Sequence, residues 1–302
     1  MDRPDIHLFR KLPKSDLHNH GMLGGKRSVI EKFQGKKFAP FKSEGQGITD
    51  LNNWIVNELR PFFQLPGSME KAIEAAFIQA RFDGVTRLEM SVDVLFSSVF
   101  NVPAGRIVGA LKHAHETFAP DIDFIPELGF PRSKSLRTLL SGFDQFLDFN
   151  YFRSIDLYDD EFAQPVENFR ELYRFARKLG LKCKAHAGEF GTAESVKKAV
   201  EVLELDAVQH GIGAAESPSV MKWLADNKIM LNICPESNIK LKRTRSYKTH
   251  PIRILYDHGV KVTVNTDDAL VFGAGVSEQF LKLFNAGVFT LDELTVIRNN
   301  GL

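Results

Sequence analysis

The chain has 302 residues, 43% of them hydrophobic and 25% charged, with a formal net charge of +1. That balance suits a globular protein with a large buried core, and it holds no basic excess that would attract nucleic acid. No stretch reaches the run of about 20 apolar residues that spans a membrane, and the opening MDRPDIHLFRKLPKSD lacks the apolar segment of a signal peptide.

The two cysteines, Cys183 and Cys234, stand far apart and form no CxxC pair, so a reducing, cytoplasmic setting is expected. The first predicted strand covers 15–20 (SDLHNH). A long break at 21–67 follows, with Gly24-Gly25, Gly45-Gln46-Gly47 and the aromatic residues Phe33, Phe38, Phe41, Phe62 and Phe63. An insert after the first strand is placed to roof whatever that strand's end presents; its Phe residues are read as packing it onto the body of the fold. Residues 68–82 (SMEKAIEAAFIQARF) predict a helix with Ser68 as its cap. Strands are predicted at 85–92, 123–130 and 152–158, then a helix at 166–179 that stops at Gly180. The pattern continues with a strand at 182–189, a helix at 192–203 behind Thr192, and a strand at 206–212. A helix at 217–227 with Pro218 at its first position, and strands at 229–236 and 261–268, complete it.

Repeated strand–helix alternation predicts parallel strands with crossover helices. Eight such strands predict an α/β fold of the (β/α)₈ TIM-barrel type, a single unit over 1–302 with the 21–67 insert within it. A doubly wound open sheet is the alternative. Polar clusters end the first, fifth, sixth and eighth strands, and only a closed barrel brings all four ends to one point.

Residues i and i+2 of a strand face the same side, so His18 and His20 aim together as a pair of metal ligands should. His186 ends the fifth strand and is followed by Ala187, Gly188 and Glu189. A further imidazole beside a carboxylate is what hydrolytic zinc chemistry needs, because the metal lowers the pKa of water toward about 7 and the carboxylate handles the proton. His210, within Gln209-His210-Gly211, reads as a ligand, a base or a satisfied core histidine, and its local sequence alone favours the last. Asp267 and Asp268 are adjacent carboxylates that repel each other, and a cation would relieve one of them. Lys240, Lys242, Arg243 and Arg245 after the seventh strand, and Arg132 after the third, are either contacts for an anionic substrate tail or solvated side chains.

At these residues the chain resembles the adenosine deaminase family of the amidohydrolase superfamily. The likeness runs from Leu12-Pro13-Lys14-Ser15-Asp16-Leu17-His18-Asn19-His20 through Ile155-Asp156-Leu157-Tyr158-Asp159-Asp160-Glu161 and His186-Ala187-Gly188-Glu189. It continues in Gln209-His210-Gly211, Cys234-Pro235-Glu236-Ser237-Asn238 and Asn265-Thr266-Asp267-Asp268. The resemblance implies one Zn²⁺ per chain held by His18, His20, His186 and Asp267, with a metal-activated water as the nucleophile. It implies that Glu189 protonates purine N1, that His210 orients or deprotonates the water, that Asp268 hydrogen-bonds the purine and that Gly188 allows close backbone approach. The products would be ammonia and a 6-oxopurine.

Two positions depart from the family pattern. Met22 stands where an acidic residue usually follows the second metal histidine, and Asp159 stands where a purine-contacting turn usually has glycine. The substrate-binding set is therefore Gly188, Asp268, Asp159 and Met22, and its changed half points to an aminopurine that differs from adenosine on its N9 side. The expected partner is this small molecule, with no nucleic acid and no membrane. The tail Ile297-Arg298-Asn299-Asn300-Gly301-Leu302 stops short of the family's usual ending, so a final helix is expected beyond it. Two competing functions share parts of the pattern. Polymerase-and-histidinol-phosphatase-type phosphoesterases open with a similar His-x-His, and a degenerate barrel would bind a purine or a partner protein without turnover.

Overall fold

A computed structural model describes residues 4–302. Eight strands lie side by side in chain order, all parallel: β1 (Lys14–His20), β2 (Val85–Asp93), β3 (Asp123–Pro131), β4 (Ser154–Tyr158), β5 (Lys182–Ala187), β6 (Ala207–His210), β7 (Met230–Ile233) and β8 (Lys261–Val264). The sheet returns on itself where Asn19 of β1 bridges Asp267, and the Asp267 N–H donates to the His18 carbonyl at 2.8 Å. The Leu17 N–H donates to Asn265 Oδ1 at 2.8 Å across the same seam. The first and last strands meet, so the fold is the (β/α)₈ barrel and not an open sheet.

Side-chain alternation along each strand explains the layering. Leu88, Met90 and Val92 of β2, and Ile155 and Leu157 of β4, are buried in the apolar core between strands and helices. The intervening residues turn inward and are polar. Glu89, Glu127, Ser154 and Lys184 form one layer across the barrel, with Lys184 Nζ 2.9 Å from Glu89 and 2.6 Å from Glu127. Ser154 Oγ donates to Glu127 at 2.7 Å. One step up β2, β4 and β5 lie Ser91, Asp156 and His186, and above them Asp93 and Tyr158. The barrel interior is thus an ionic floor under the strand-end site.

The helices fill the outer ring. Thr192 caps its helix as expected, accepting from the Ser195 N–H, and Ser217 caps the helix that Pro218 opens, accepting from the Val220 N–H. Ser68 does not cap: it is the first helical residue, Gly67 precedes it at φ +76°, and the Ser68 hydroxyl donates back to the Phe63 carbonyl. Four predicted strands end early. β5, β6, β7 and β8 stop at Ala187, His210, Ile233 and Val264 because left-handed residues (Gly188, Gly211, Asp267) or Pro235 turn the chain there. The 21–67 segment holds short helices at Arg27–Gln34, Ile48–Trp54 and Arg60–Phe63. Phe38, Phe41 and Phe62 are buried and Phe33 is exposed. Phe41 packs edge-on against Phe272 after β8, and Phe63 against Phe100 after β2, which ties the insert to the loops at the C-terminal strand ends. Among the described residues no helix is long and apolar enough to cross a membrane. The helix Leu291–Asn299 ends near the floor, where Asn300 Nδ2 donates to the Val262 carbonyl.

Candidate active site

His18 and His20 project from the end of β1 and meet His186 from the end of β5. The His18 Nε2 atom is 3.3 Å from His20 Nε2 and 3.1 Å from His186 Nε2. Each ring's other nitrogen faces a fixed partner. His18 Nδ1 donates to the Asn232 carbonyl at 3.3 Å, with Cys234 Sγ also 3.3 Å away. His186 Nδ1 donates to Asp156 at 3.2 Å. His20 Nδ1 lies 3.2 Å from Ser91 Oγ, which itself faces the Asn19 carbonyl. A carbonyl and a carboxylate only accept, so the Nδ1 atoms of His18 and His186 carry protons and their Nε2 atoms are turned toward one another. Three ring nitrogens converging in this way are the donor set a metal ion would use, with any Nε2 proton displaced on binding.

The fit to a tetrahedral metal is close. With metal–nitrogen bonds of about 2.0–2.1 Å, two ligand nitrogens stand roughly 3.3–3.4 Å apart. Asp267 adds a carboxylate oxygen 3.4 Å from His20 Nε2 and 3.8 Å from His18 Nε2. Hydrogen bonds on the far side of each imidazole, as at Asp156, are the usual support of ligating histidines. Burial, reinforced at His18 by the neighbouring imidazoles, pulls His18 and His20 below the ordinary histidine range. Burial acts the same way on His186, but the Asp156 carboxylate overrides it and holds that ring up at about 9.

Glu189 and His210 stand on the next side of the cluster. His210 Nε2 is 3.5 Å from Glu189 Oε2 and 3.8 Å from Asp267 Oδ2. Burial, and then the charge of Asp267, push Glu189 well above the ordinary carboxyl range, and the same two causes act on Asp268. Glu189 Oε1 and Asp268 Oδ1 are buried with no partner among the described residues. Both shifts favour the protonated form, in which a carboxyl group can donate a hydrogen bond inward.

The loop carrying Glu189 is held from three sides. Gly188 sits at φ +68°, and a Cβ there would lie 2.2 Å from Val196 Cγ2. Glu161 accepts from the Phe190 and Gly191 N–H groups at 2.9 and 2.7 Å. Arg243 Nε donates to the Glu189 carbonyl at 3.0 Å and its guanidinium lies over the Phe190 ring. Arg243 is therefore part of the loop's frame rather than a free surface cation, and Arg132 donates to the Gln164 carbonyl at 2.9 Å. Lys240 approaches Glu236 at 3.9 Å.

The departures from the family pattern have clear local consequences. Met22 is buried and apolar. Asp159 keeps a glycine-like backbone at φ +81°, and its carboxylate accepts from Ser133 Oγ. Tyr158, beside it, has its ring 5.4 Å from the His20 ring at a tilt of 49° and donates its hydroxyl to Asp93. Reading the sequence for strand-end clusters missed Ser91, Asp156, Glu161, Asn238 and Lys184. Strand alternation would have found three of them, since Ser91, Asp156 and Lys184 share an inward face with ligands or with the ionic layer.

The chain is similar to known proteins along most of its length. The model of the family described as adenosine deaminase matches residues 137–302. A putative adenosine/adenine deaminase of Treponema pallidum is 31% identical, over 94% of this chain and 95% of that protein. An adenine deaminase of Rhodopseudomonas palustris is 27% identical, over 99% and 91%. The crystal structure of adenine deaminase from Arthrobacter aurescens superposes with a TM-score of 0.82 at 25% identity, covering 96% of this chain and 92% of that one.

Proposed function

The chain belongs to the adenosine deaminase family, and we propose that it is a hydrolytic deaminase of 6-aminopurines working with one Zn²⁺ per chain. The observation that carries this reading is the convergence of the His18, His20 and His186 Nε2 atoms with Asp267, next to a buried Glu189 whose carboxyl is pushed well above its ordinary range. His18, His20, His186 and Asp267 would hold the metal. Bound there, Zn²⁺ supplies a Lewis acid that lowers the pKa of the attacking water toward about 7.

The protein groups do the rest. Neutral purine ring nitrogens are acceptors, so a carboxyl group must be protonated to bind them. Glu189 donates its proton to N1, which draws electrons from C6. The attacking water bonds to C6, and one of its protons restores Glu189. The other ends on the departing amine, so aminopurine plus water gives 6-oxopurine plus ammonia. Asp268, also raised, donates to a second ring nitrogen and fixes the ring. His210 Nε2 faces the same oxygen and steadies the charge that develops on it.

The N9 side of the substrate is read from what is missing there. Buried Met22 offers sugar hydroxyls no acceptor, and the Tyr158 ring crowds the approach beside His20. Asp93 and Asp159 add carboxylates at the same end of β2 and β4, which disfavour a phosphate. We therefore assign free adenine, or an adenine with an uncharged N9 group other than ribose, as the substrate class. Ammonia release measured across adenine, adenosine, AMP and N9-alkyl adenines tests this. The highest kcat/KM should fall on adenine or an N9-alkyl compound, and a clear preference for adenosine or AMP would refute the assignment.

A further inference from the structure

We propose that Asn238 and His250 are positioning residues that lock His210 as its Nε2–H tautomer. His210 then meets the attacking oxygen as a hydrogen-bond donor and does not take its proton. Three buried side chains and one backbone N–H form the chain of contacts. The Ile252 N–H donates to His250 Nδ1 at 3.1 Å. His250 Nε2 lies 3.2 Å from Asn238 Oδ1, and Asn238 Nδ2 lies 3.2 Å from His210 Nδ1. His210, Asn238 and His250 are each at most 2% exposed, so water does not substitute for any of these partners.

The backbone decides every proton in this series. Ile252 opens the helix Ile252–Asp257, so its N–H has no partner within the helix and must be met from outside. An N–H only donates, so His250 Nδ1 is the acceptor and the His250 proton is on Nε2. His250 Nε2–H must then find an acceptor, which sets the Asn238 amide with its oxygen toward His250. The other end of that amide is NH₂, and it donates to His210 Nδ1. The reversed amide would face N–H against N–H at His250. The His210 proton is therefore on Nε2, the nitrogen that points at Glu189 and Asp267. Burial holds His250 down at about 3, and a His210 Nδ1 that accepts from Asn238 leaves that ring a single proton, so both rings are neutral, as the series requires.

This settles which of two roles His210 plays in the reaction proposed above, and it rests on that reading only for the identity of the attacking oxygen. Neither His210 nitrogen is open to a proton from the water: Nε2 already carries one, and Nδ1 is taken by Asn238. The first proton leaving the water goes to the carboxylate that Glu189 becomes on protonating N1. His210 contributes a fixed donor to the developing charge, of the kind whose loss costs roughly 10²–10³-fold in kcat.

Long-range ¹H–¹⁵N spectra of the full-length, metal-loaded protein labelled with ¹⁵N-histidine read the tautomers directly. His210 and His250 should both appear as neutral Nε2–H rings, and an Nδ1–H or charged His210 would overturn the proposal. Asn238→Asp replaces the donor with an acceptor and draws the His210 proton to Nδ1. It should lower kcat roughly 10²–10³-fold with KM and bound metal little changed. His250→Ala should also lose kcat, and His250→Gln, whose amide can again donate to Asn238, should recover part of it. Wild-type kcat in Asn238→Asp would contradict the lock. An Nε2–H His210 in a protein that deaminates no aminopurine would uphold the lock and sink the deaminase reading; an Nδ1–H His210 in an active deaminase would do the opposite.

Discussion

The Nε2 atoms of His18 and His186, 168 residues apart in the chain, lie 3.1 Å from each other. Both rings spend their Nδ1 proton on Asn232 and Asp156, which presents the two Nε2 atoms to one point. The account therefore predicts one tightly bound divalent ion per chain by elemental analysis. Asp156→Asn keeps an acceptor for His186 but removes its charge, and should weaken metal binding about 10-fold to 100-fold. Metal affinity unchanged in Asp156→Asn would show that His186 is oriented by something else.

Gly188 carries both a positive φ and a close neighbour. Gly188→Ala should destabilise the fold by about 1–3 kcal/mol, from the left-handed backbone and the contact with Val196, and should displace Glu189 enough to remove most turnover. Gly35 is the control, since it also has positive φ but no atom within 4 Å of an added Cβ. Gly35→Ala should cost about 1 kcal/mol and leave kcat alone. Chemical denaturation and ammonia-release assays on both variants check the pair; equal loss of turnover would deny Gly188 its special place.

Lys184 sits between Glu89 and Glu127 at the barrel axis. The two glutamates outweigh burial and raise the lysine further, while burial lifts Glu127 to about 7 despite the lysine. Lys184→Met leaves two carboxyl groups buried without their cation and should cost about 3–5 kcal/mol. Adding Glu89→Gln and Glu127→Gln to it should restore most of that loss, because the penalty lies in the unpaired charge. Urea midpoints measure both steps. A triple variant no more stable than Lys184→Met would mean that the layer is held by packing and not by charge.

Much of this was legible in the chain itself, and the reasons differ by residue. His18 and His20 were readable because a strand sends i and i+2 to one side, and the four clusters fitted one barrel rim. The ends of β5, β6 and β8 were not, because Gly188, His210 and Asp267 continue a strand-like side-chain pattern while their backbones turn left-handed. Ser68 looked like a cap, but Gly67 takes the left-handed entry and leaves Ser68 inside the helix. Lys184, Glu89 and Glu127 were passed over, although strand alternation puts them on the inward face. Asn238 stands in the Cys234–Asn238 motif but nothing there points to a role, and His250 carries no signal; their relation to His210 exists only through the fold.

Hydrolytic deamination at the strand-end cluster requires Glu189 as the proton donor. Ammonia release per 6-oxopurine formed, by the metal-replete wild type and by Glu189→Gln at equal metal content with the best aminopurine found, tests this. The wild type should release one ammonia for each product molecule, and the variant should be slower by about 10²–10⁴-fold. Unchanged turnover in Glu189→Gln, or a wild type that releases no ammonia from any aminopurine, would contradict it.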